Sequence, residues 1–256
     1  QLLEKENDFD VEKMKGIQLD NTSYFATDAL PVLLNIMDRK ALPAAAQKRL
    51  AALEHWKGAY NCNDQEARLF ELWWNNVKDY TWDELKNLDF YSRMPDDRVL
   101  LDLITHEPND SYFDKQGTTK VETAPDIVSQ AFSNAVASYD LLAAKGESSW
   151  GSFNKVNIKH FTNLDAFSRT NLPSAGYTEA INAVSSNWGP SWRMIVELGD
   201  RPRAFGIYAG GQSGDVGSPY YDNFIGDWAH GKYYPLTFFM SMNEAMKQSA
   251  GSWKLK

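Results

Sequence analysis

One change of rhythm constrains this chain more than any other feature. Through roughly the first 145 residues apolar side chains recur every three to four positions; beyond that point they begin to alternate. Leu50, Leu53 and Trp56 keep the helical spacing, as do Leu69, Leu72, Trp73 and Val77, and again Ile127, Ala131, Ala135 and Leu142. Start signals agree with that period: Pro43 before AAAQKRLAALEHW, Asp64 before QEARLFELWWNNV, Pro95 with Asp96 and Asp97 before RVLLDLITHE, and Thr123 with Pro125 and Asp126 before IVSQAFSNAVASYDLLAAKG. The pattern predicts five or six antiparallel-packing helices, the last stopped by Gly146.

At Gly146-Glu147-Ser148-Ser149 the texture changes. KVNIKHF (155–161) alternates and predicts a half-buried strand, and further strands are expected at Glu179 to Ser185, Ser191 to Leu198 and Ala204 to Ala209. Gly199-Asp200-Arg201-Pro202 joins the last two as a hairpin turn. A helix from about Pro219 to His230 and a strand from Leu236 to Phe239 complete the reading. Helices first and antiparallel strands second define an α+β chain rather than an alternating β-α-β one. So few strands cannot cover a core, so they are expected to complete a larger sheet supplied by other sequence.

Composition narrows the function classes. With 26 Lys plus Arg against 34 Asp plus Glu, a net charge of -8 repels a polyanion, so no nucleic-acid partner is expected. No apolar run is long enough to span a bilayer. The single Cys62 cannot form an internal disulfide or a CxxC site, and His55, His106, His160 and His230 lack metal-ligand spacing, so neither metal nor cofactor is expected in this chain. The opening QLLEKENDFDVEKMKG has no Met start and no signal segment, and reads as the interior of a helical region, which predicts a processed product or a piece of a longer chain.

The most informative stretch is WGPSWRMIVELGDRPRAFGIYAGGQSGDVGSPYY (188–221). Its GGQSGDVGSP core follows an apolar strand and demands unusual backbone angles or close backbone approach, as in a loop lining a pocket. Ser213 is not a nucleophile elbow, because Asp215 stands where that motif needs glycine. Ser152-Phe153-Asn154-Lys155 matches SxxK but is placed on a loop and lacks a downstream KTG. Arg193, on an otherwise apolar strand, needs a carboxylate or carbonyl partner. His160 ends the KVNIKHF strand and is the histidine placed nearest the loop. Paired Trp73 and Trp74 could grip a sugar or protein partner, but at helical spacing they read as core. Asp96-Asp97 and Asp8-Asp10 read as helix-start charges.

Four segments carry a resemblance: IQLDNTSYFATDALPVLL, LEHWKGAYNCNDQEARLFELWW, GPSWRMIVELGD and GGQSGDVGSPYYDNFIGDWAHGKYYPLTF. In order and spacing they resemble the C-terminal part of the penicillin amidase β subunit, an N-terminal nucleophile hydrolase. The resemblance implies an αββα sandwich in which residues 1–19 start a sandwich segment, 20–148 form a helical insertion and 149–256 complete the sandwich. It further implies a periplasmic or exported precursor that cuts itself and an amide substrate attacked by an N-terminal serine with its own α-amino group as base. Oxyanion stabilisation would come from a backbone N–H and an Asn. The serine, that Asn and any calcium ligands would all lie upstream, in the α and N-terminal β segments of the same precursor, leaving no catalytic residue here and an isolated chain that is inactive. Where some cephalosporin-type relatives place a glutamate after Trp-Gly, this chain has Pro190, which favours the penicillin-amidase-like variant. Arg193, Gln212, Ser213 and His160 are then the site-support candidates. A non-catalytic binding module with Trp-rich helices, and a family member that has lost catalysis, are the alternatives.

Overall fold

In the computed structural model, which describes residues 2–4, 7–87 and 94–252, the predicted helix starts are built by side chains meeting free backbone N–H groups. The helices are α1 Val11–Gln18, α2 Tyr24–Ile36, α3 Ala44–Leu53, α4 Gln65–Thr81, α5 Asp97–His106, α6 Ala124–Ala143 and α7 Trp150–Phe153. Asp10 accepts from Lys13 N at 2.8 Å, Ser23 from Ala26 N at 3.2 Å and Asp96 from Arg98 N at 2.8 Å. Asp126 reaches back to Thr123 N at 3.1 Å, one half of a capping box, and Pro125 sits in the first turn of α6. Asp64 departs from this scheme: its carboxylate accepts from Asn61 N instead of capping α4. The opening segment reaches helix only at Val11; residues 1, 5 and 6 of that reading lie outside the described residues.

The chain divides into two compact units. The helical unit comprises residues 20–157 and 170–188, and the strand unit residues 1–19, 158–169 and 189–256.

In the helical unit, α4 and α6 make the most extensive helix pair, with α2, α3, α5 and α7 packed around them. Trp73 and Trp74 are buried, Trp73 against Phe132 at 4.7 Å between ring centroids and Trp74 edge-on to Phe25 at 4.9 Å. The Trp73 indole donates to the Val128 carbonyl at 3.0 Å. Both rings belong to the core and offer no surface platform. Gly151 in α7 lies directly on Cys62: Gly151 N donates to the Cys62 carbonyl at 2.7 Å, and a Cβ at Gly151 would stand 2.2 Å from the Cys62 sulfur. Ser152, placed on a loop by its sequence, belongs to α7 and donates to the Ser149 carbonyl at 2.6 Å.

β1 (Lys155–Ile158) pairs with β2 (Arg169–Pro173), a short strand whose polar, Pro-ended sequence has no alternation to announce it. The predicted strand 155–161 stops at Ile158 because His160, Thr162 and the left-handed Asn163 (φ 55°) fold into a turn. The predicted strand from Glu179 to Ser185 does not form. Gly176 holds φ +101° and Asn182 N bonds the Asp20 carbonyl, so only an isolated bridge, Ser185 with Trp188, remains.

The strand unit is built on a three-stranded antiparallel sheet of β3 (Trp192–Glu197), β4 (Arg203–Tyr208) and β5 (Tyr234–Leu236), in that order. The predicted hairpin is present, in register from Trp192 with Tyr208 to Glu197 with Arg203. β5 lies two residues earlier than expected, pairing Ala204 with Leu236 and Gly206 with Tyr234. One face is filled: Arg193, Ile195 and Ile207 are buried with Ile225 and Trp228, while α1 lies on β3 with Gln18 donating to the Met194 carbonyl at 3.1 Å. The opposite face is also apolar, yet Trp192, Met194, Val196 and Tyr234 are exposed there. The expected helix 219–230 shrinks to α8 (Ile225–Ala229), because the backbone of 218–224 is committed to loop bonds. α9 (Met242–Gln248), absent from the sequence expectation, follows.

Candidate active-site support loop

The glycine-rich stretch leaves β4 and folds on itself. Its ends are tied by Phe224 N donating to the Gly210 carbonyl at 3.1 Å, and its neck is closed by the Tyr208 hydroxyl donating to the Gly211 carbonyl at 2.8 Å. Gly211 has no room for a side chain: a Cβ would lie 2.1 Å from the Tyr221 carbonyl oxygen and 2.3 Å from that of Tyr220. This is close backbone approach, the property that makes glycine necessary.

Each predicted support residue finds a place in the strand unit. Gln212 exchanges bonds with Asn223, its N–H donating to Oδ1 at 3.2 Å and its Oε1 accepting from Nδ2 at 3.3 Å. Ser213 N donates to the Tyr220 carbonyl at 3.0 Å, and its hydroxyl accepts from Asp215 N at 3.1 Å. Arg193, buried on β3, donates from Nη1 to the Trp228 carbonyl at 2.7 Å, with its guanidinium 5.0 Å from the Trp228 ring. Burial pulls the guanidinium pKa below its ordinary value, opposed by the nearby Tyr233. His160 stands apart: its Nδ1 meets Thr162 Oγ1 at 2.7 Å, its N–H meets Ser168, and its ring touches Phe161 and Phe167. Gln212 and Ser213 therefore share one loop and Arg193 holds the helix that follows it, whereas His160 bonds to none of these three.

Several partners escaped the sequence reading. Arg169 pairs with Asp222 at 2.6 Å and the Tyr221 hydroxyl donates to the Phe167 carbonyl at 2.7 Å, fastening the loop to residues 167–169. The Trp228 indole donates to the Pro190 carbonyl at 3.0 Å. Their only sequence signal was the density of aromatics and Asp222 after Gly217-Ser218-Pro219. A groove of about 530 Å³ on the open sheet face is lined by Trp192, Gly206, Tyr208, Phe224 and Tyr234, with Gln212 and Asn223 at its polar end. It can take an apolar group and offer amide hydrogen bonds. Among the described residues no group of three or more His, Cys, Asp or Glu is arranged to hold a metal ion.

The Ser213 hydroxyl has a backbone N–H as its partner, so Ser213→Ala is expected to cost no more than about 1 kcal/mol, which thermal unfolding checks.

The penicillin amidase family model matches residues 1–242, and the chain belongs to that family of hydrolases. Among curated relatives it is similar to the acyl-homoserine lactone acylase QuiP of Pseudomonas syringae pv. syringae (strain B728a), 28% identical over 141 residues that cover 49% of this chain and 17% of the relative. The acyl-homoserine lactone acylases QuiP of Pseudomonas fluorescens (strain Pf-5), 26% identical over 144 residues, and Pseudomonas syringae pv. tomato (strain DC3000), 28% over 142, match alike, covering 53% and 49% of this chain and 18% and 17% of theirs. The matched stretch thus spans less than a fifth of each relative's length.

Proposed function

We propose that this chain is the C-terminal portion of an exported, self-cleaving acylase whose complete polypeptide hydrolyses an amide bond through an acyl-enzyme. The family match across residues 1–242 carries the reading. In the proposed reaction a serine at a newly exposed N-terminus, outside these residues, gives its hydroxyl proton to its own α-amino group. That amine titrates near pH 7.7 to 8.0 when free, close to working conditions. The serine oxygen bonds the amide carbon, the C–N bond breaks, and the amine leaves with the proton. Water then attacks the ester by the same route and releases the carboxylic acid. An upstream backbone N–H and an Asn would hold the oxyanion, and calcium, where present, would be held by upstream residues.

This chain would contribute structure. Both faces of its three-stranded sheet are apolar, as expected of a sheet stacked on a second one from the same precursor in an αββα sandwich. Arg193, Gln212 and Ser213 would keep the loop after β4 in shape, with His160 bracing the turn beside residues 167–169. The relatives' names point to an N-acyl-homoserine lactone as the amide to test first. No helix among the described residues is long and apolar enough to cross a membrane; a periplasmic location is part of the proposal.

The complete polypeptide should release homoserine lactone and a fatty acid from such an amide, seen by mass spectrometry. Replacing the serine that follows the self-cleavage site by Ala should abolish the release of both products. Hydrolysis that survives the replacement, or a precursor with no such serine, would leave a family member without this chemistry or a binding module.

A further inference from the structure

The sheet of the strand unit has two outer strands, β3 and β5, and their free edges differ. β5 meets β4 with Phe205 opposite Pro235, and with Ala204 and Gly206 opposite Leu236 and Tyr234. Proline has no N–H to give, so the bonded pairs of this ladder are Ala204 with Leu236 and Gly206 with Tyr234. The backbone of Pro235 therefore faces outward, and within β5 the outer edge offers a carbonyl and no donor. Phases alternate along β4. Arg203, Phe205 and Ile207 turn their N–H and C=O groups to β3, where they meet Glu197, Ile195 and Arg193. Left over on β3 are the backbone groups of Trp192, Met194 and Val196, which point away from the sheet. Gln18 agrees with that phase, its Nε2 donating to the Met194 carbonyl at 3.1 Å while its Oε1 accepts from the Tyr233 hydroxyl at 2.6 Å. Among the described residues nothing else bonds the outward groups of these three.

This edge lacks the usual guards. It runs six residues with no Pro and no Lys, and its register with β4 is unbroken by a bulge. The side chains beside the outward groups, Trp192, Met194 and Val196, are exposed and apolar. A long, flat, apolar edge is a template for another strand, and natural proteins blunt or cover it. β5 is blunted by Pro235; β3 is not.

We propose that an extended segment of the same polypeptide, from outside these residues, joins the sheet as a fourth strand beside β3. On the reading of this chain as part of a longer acylase, on which this placement rests, the growing edge is β3 and the closed edge is β5. The curated relatives carry ample chain for such a strand, the matched stretch being less than a fifth of their lengths. Gln18 already fills the Met194 carbonyl, so the incoming strand takes the Met194 N–H and both backbone groups of Trp192 and Val196.

Hydrogen exchange of the complete polypeptide tests this, with the Ile195 N–H, turned to β4, as the internal reference. Met194 and Val196 should exchange at least about a hundredfold below their intrinsic rates and within about tenfold of Ile195, at every protein concentration. Near-intrinsic exchange at both beside a protected Ile195 overturns the proposal. Protection that appears only as concentration rises puts a second copy on the edge and equally overturns it. Val196→Pro separates a bonded strand from a mere cover, because proline is tolerated at an edge position whose N–H has no acceptor. It should lower the yield of folded polypeptide by about tenfold or more, whereas Val196→Ala, which keeps the N–H, should not; an undiminished yield for Val196→Pro overturns the fourth strand. Amide hydrolysis scored in the same preparation keeps the two readings apart: hydrolysis with a bare β3 edge sinks the strand and leaves the acylase, and a protected edge without hydrolysis does the reverse.

Discussion

Gly211→Ala is expected to unseat the loop after β4 and to cost about 3 kcal/mol or more. The new methyl would occupy the space of the Tyr221 carbonyl, 2.1 Å from its oxygen and 2.2 Å from its carbon. Those are backbone atoms, and they cannot rotate aside as a side chain tip would. Relief requires residues 220–221 to withdraw, which strains the bond from Ser213 N to Tyr220 and the closure between Phe224 and Gly210. At roughly 2 to 4 °C per kcal/mol for a chain of 150–250 residues, the thermal midpoint should drop by about 6 °C or more. Gly214→Ala is the control: nothing lies within 4 Å of its added Cβ, so its effect should stay within about 0.5 kcal/mol. Equal midpoints for the two variants would contradict the loop geometry.

Arg193→Ala should be comparably severe, about 3 to 5 kcal/mol, combining a buried void with a carbonyl deprived of its donor. The Trp228 carbonyl would lose its 2.7 Å partner and the Trp228 ring the cation beside it. Arg193→Lys should recover little, because an ammonium on a flexible stem lacks the planar fork that bonds and stacks at once. On the proposed function, the loss should appear in the yield of folded, processed polypeptide, while the ratio of rates for two acyl-chain amides stays fixed. A changed ratio with undiminished yield would make Arg193 a substrate contact instead of a support.

What could be read in advance followed the reach of the forces involved. Helix starts at Asp10, Asp96 and Thr123 are local events, settled within three residues, so composition and spacing expose them, whereas the Ser23 start of α2 was not read in advance. The β3–β4 hairpin was legible because its turn residues and its pairing are neighbours in sequence. Glu179 to Ser185 looked like a strand and is not one, because its backbone is claimed by Asp20 and by Asn154, residues far away along the chain. The helix expected from Pro219 shortened because its first turn is committed to the loop, the Tyr220 carbonyl accepting from Ser213 N and Tyr221 N donating to the Ser218 carbonyl. Of the loop's fastenings, Arg193 betrayed itself as a lone cation in an apolar strand, whereas Asn223, Asp222 and Tyr221 are ordinary surface types until their partners are seen.

The seam where Gly151 lies on Cys62 gives the molecule a stopwatch of its own. Cys62 carries the only sulfhydryl in the chain, and burial pushes that thiol above its ordinary range, so it is slow to react while the seam is shut. The thiol is partly exposed, so an alkylating reagent in excess would react with it slowly even in the closed seam, and a substitution that loosens α7 should speed that reaction, with no label engineered in and no second sulfur to confuse the count.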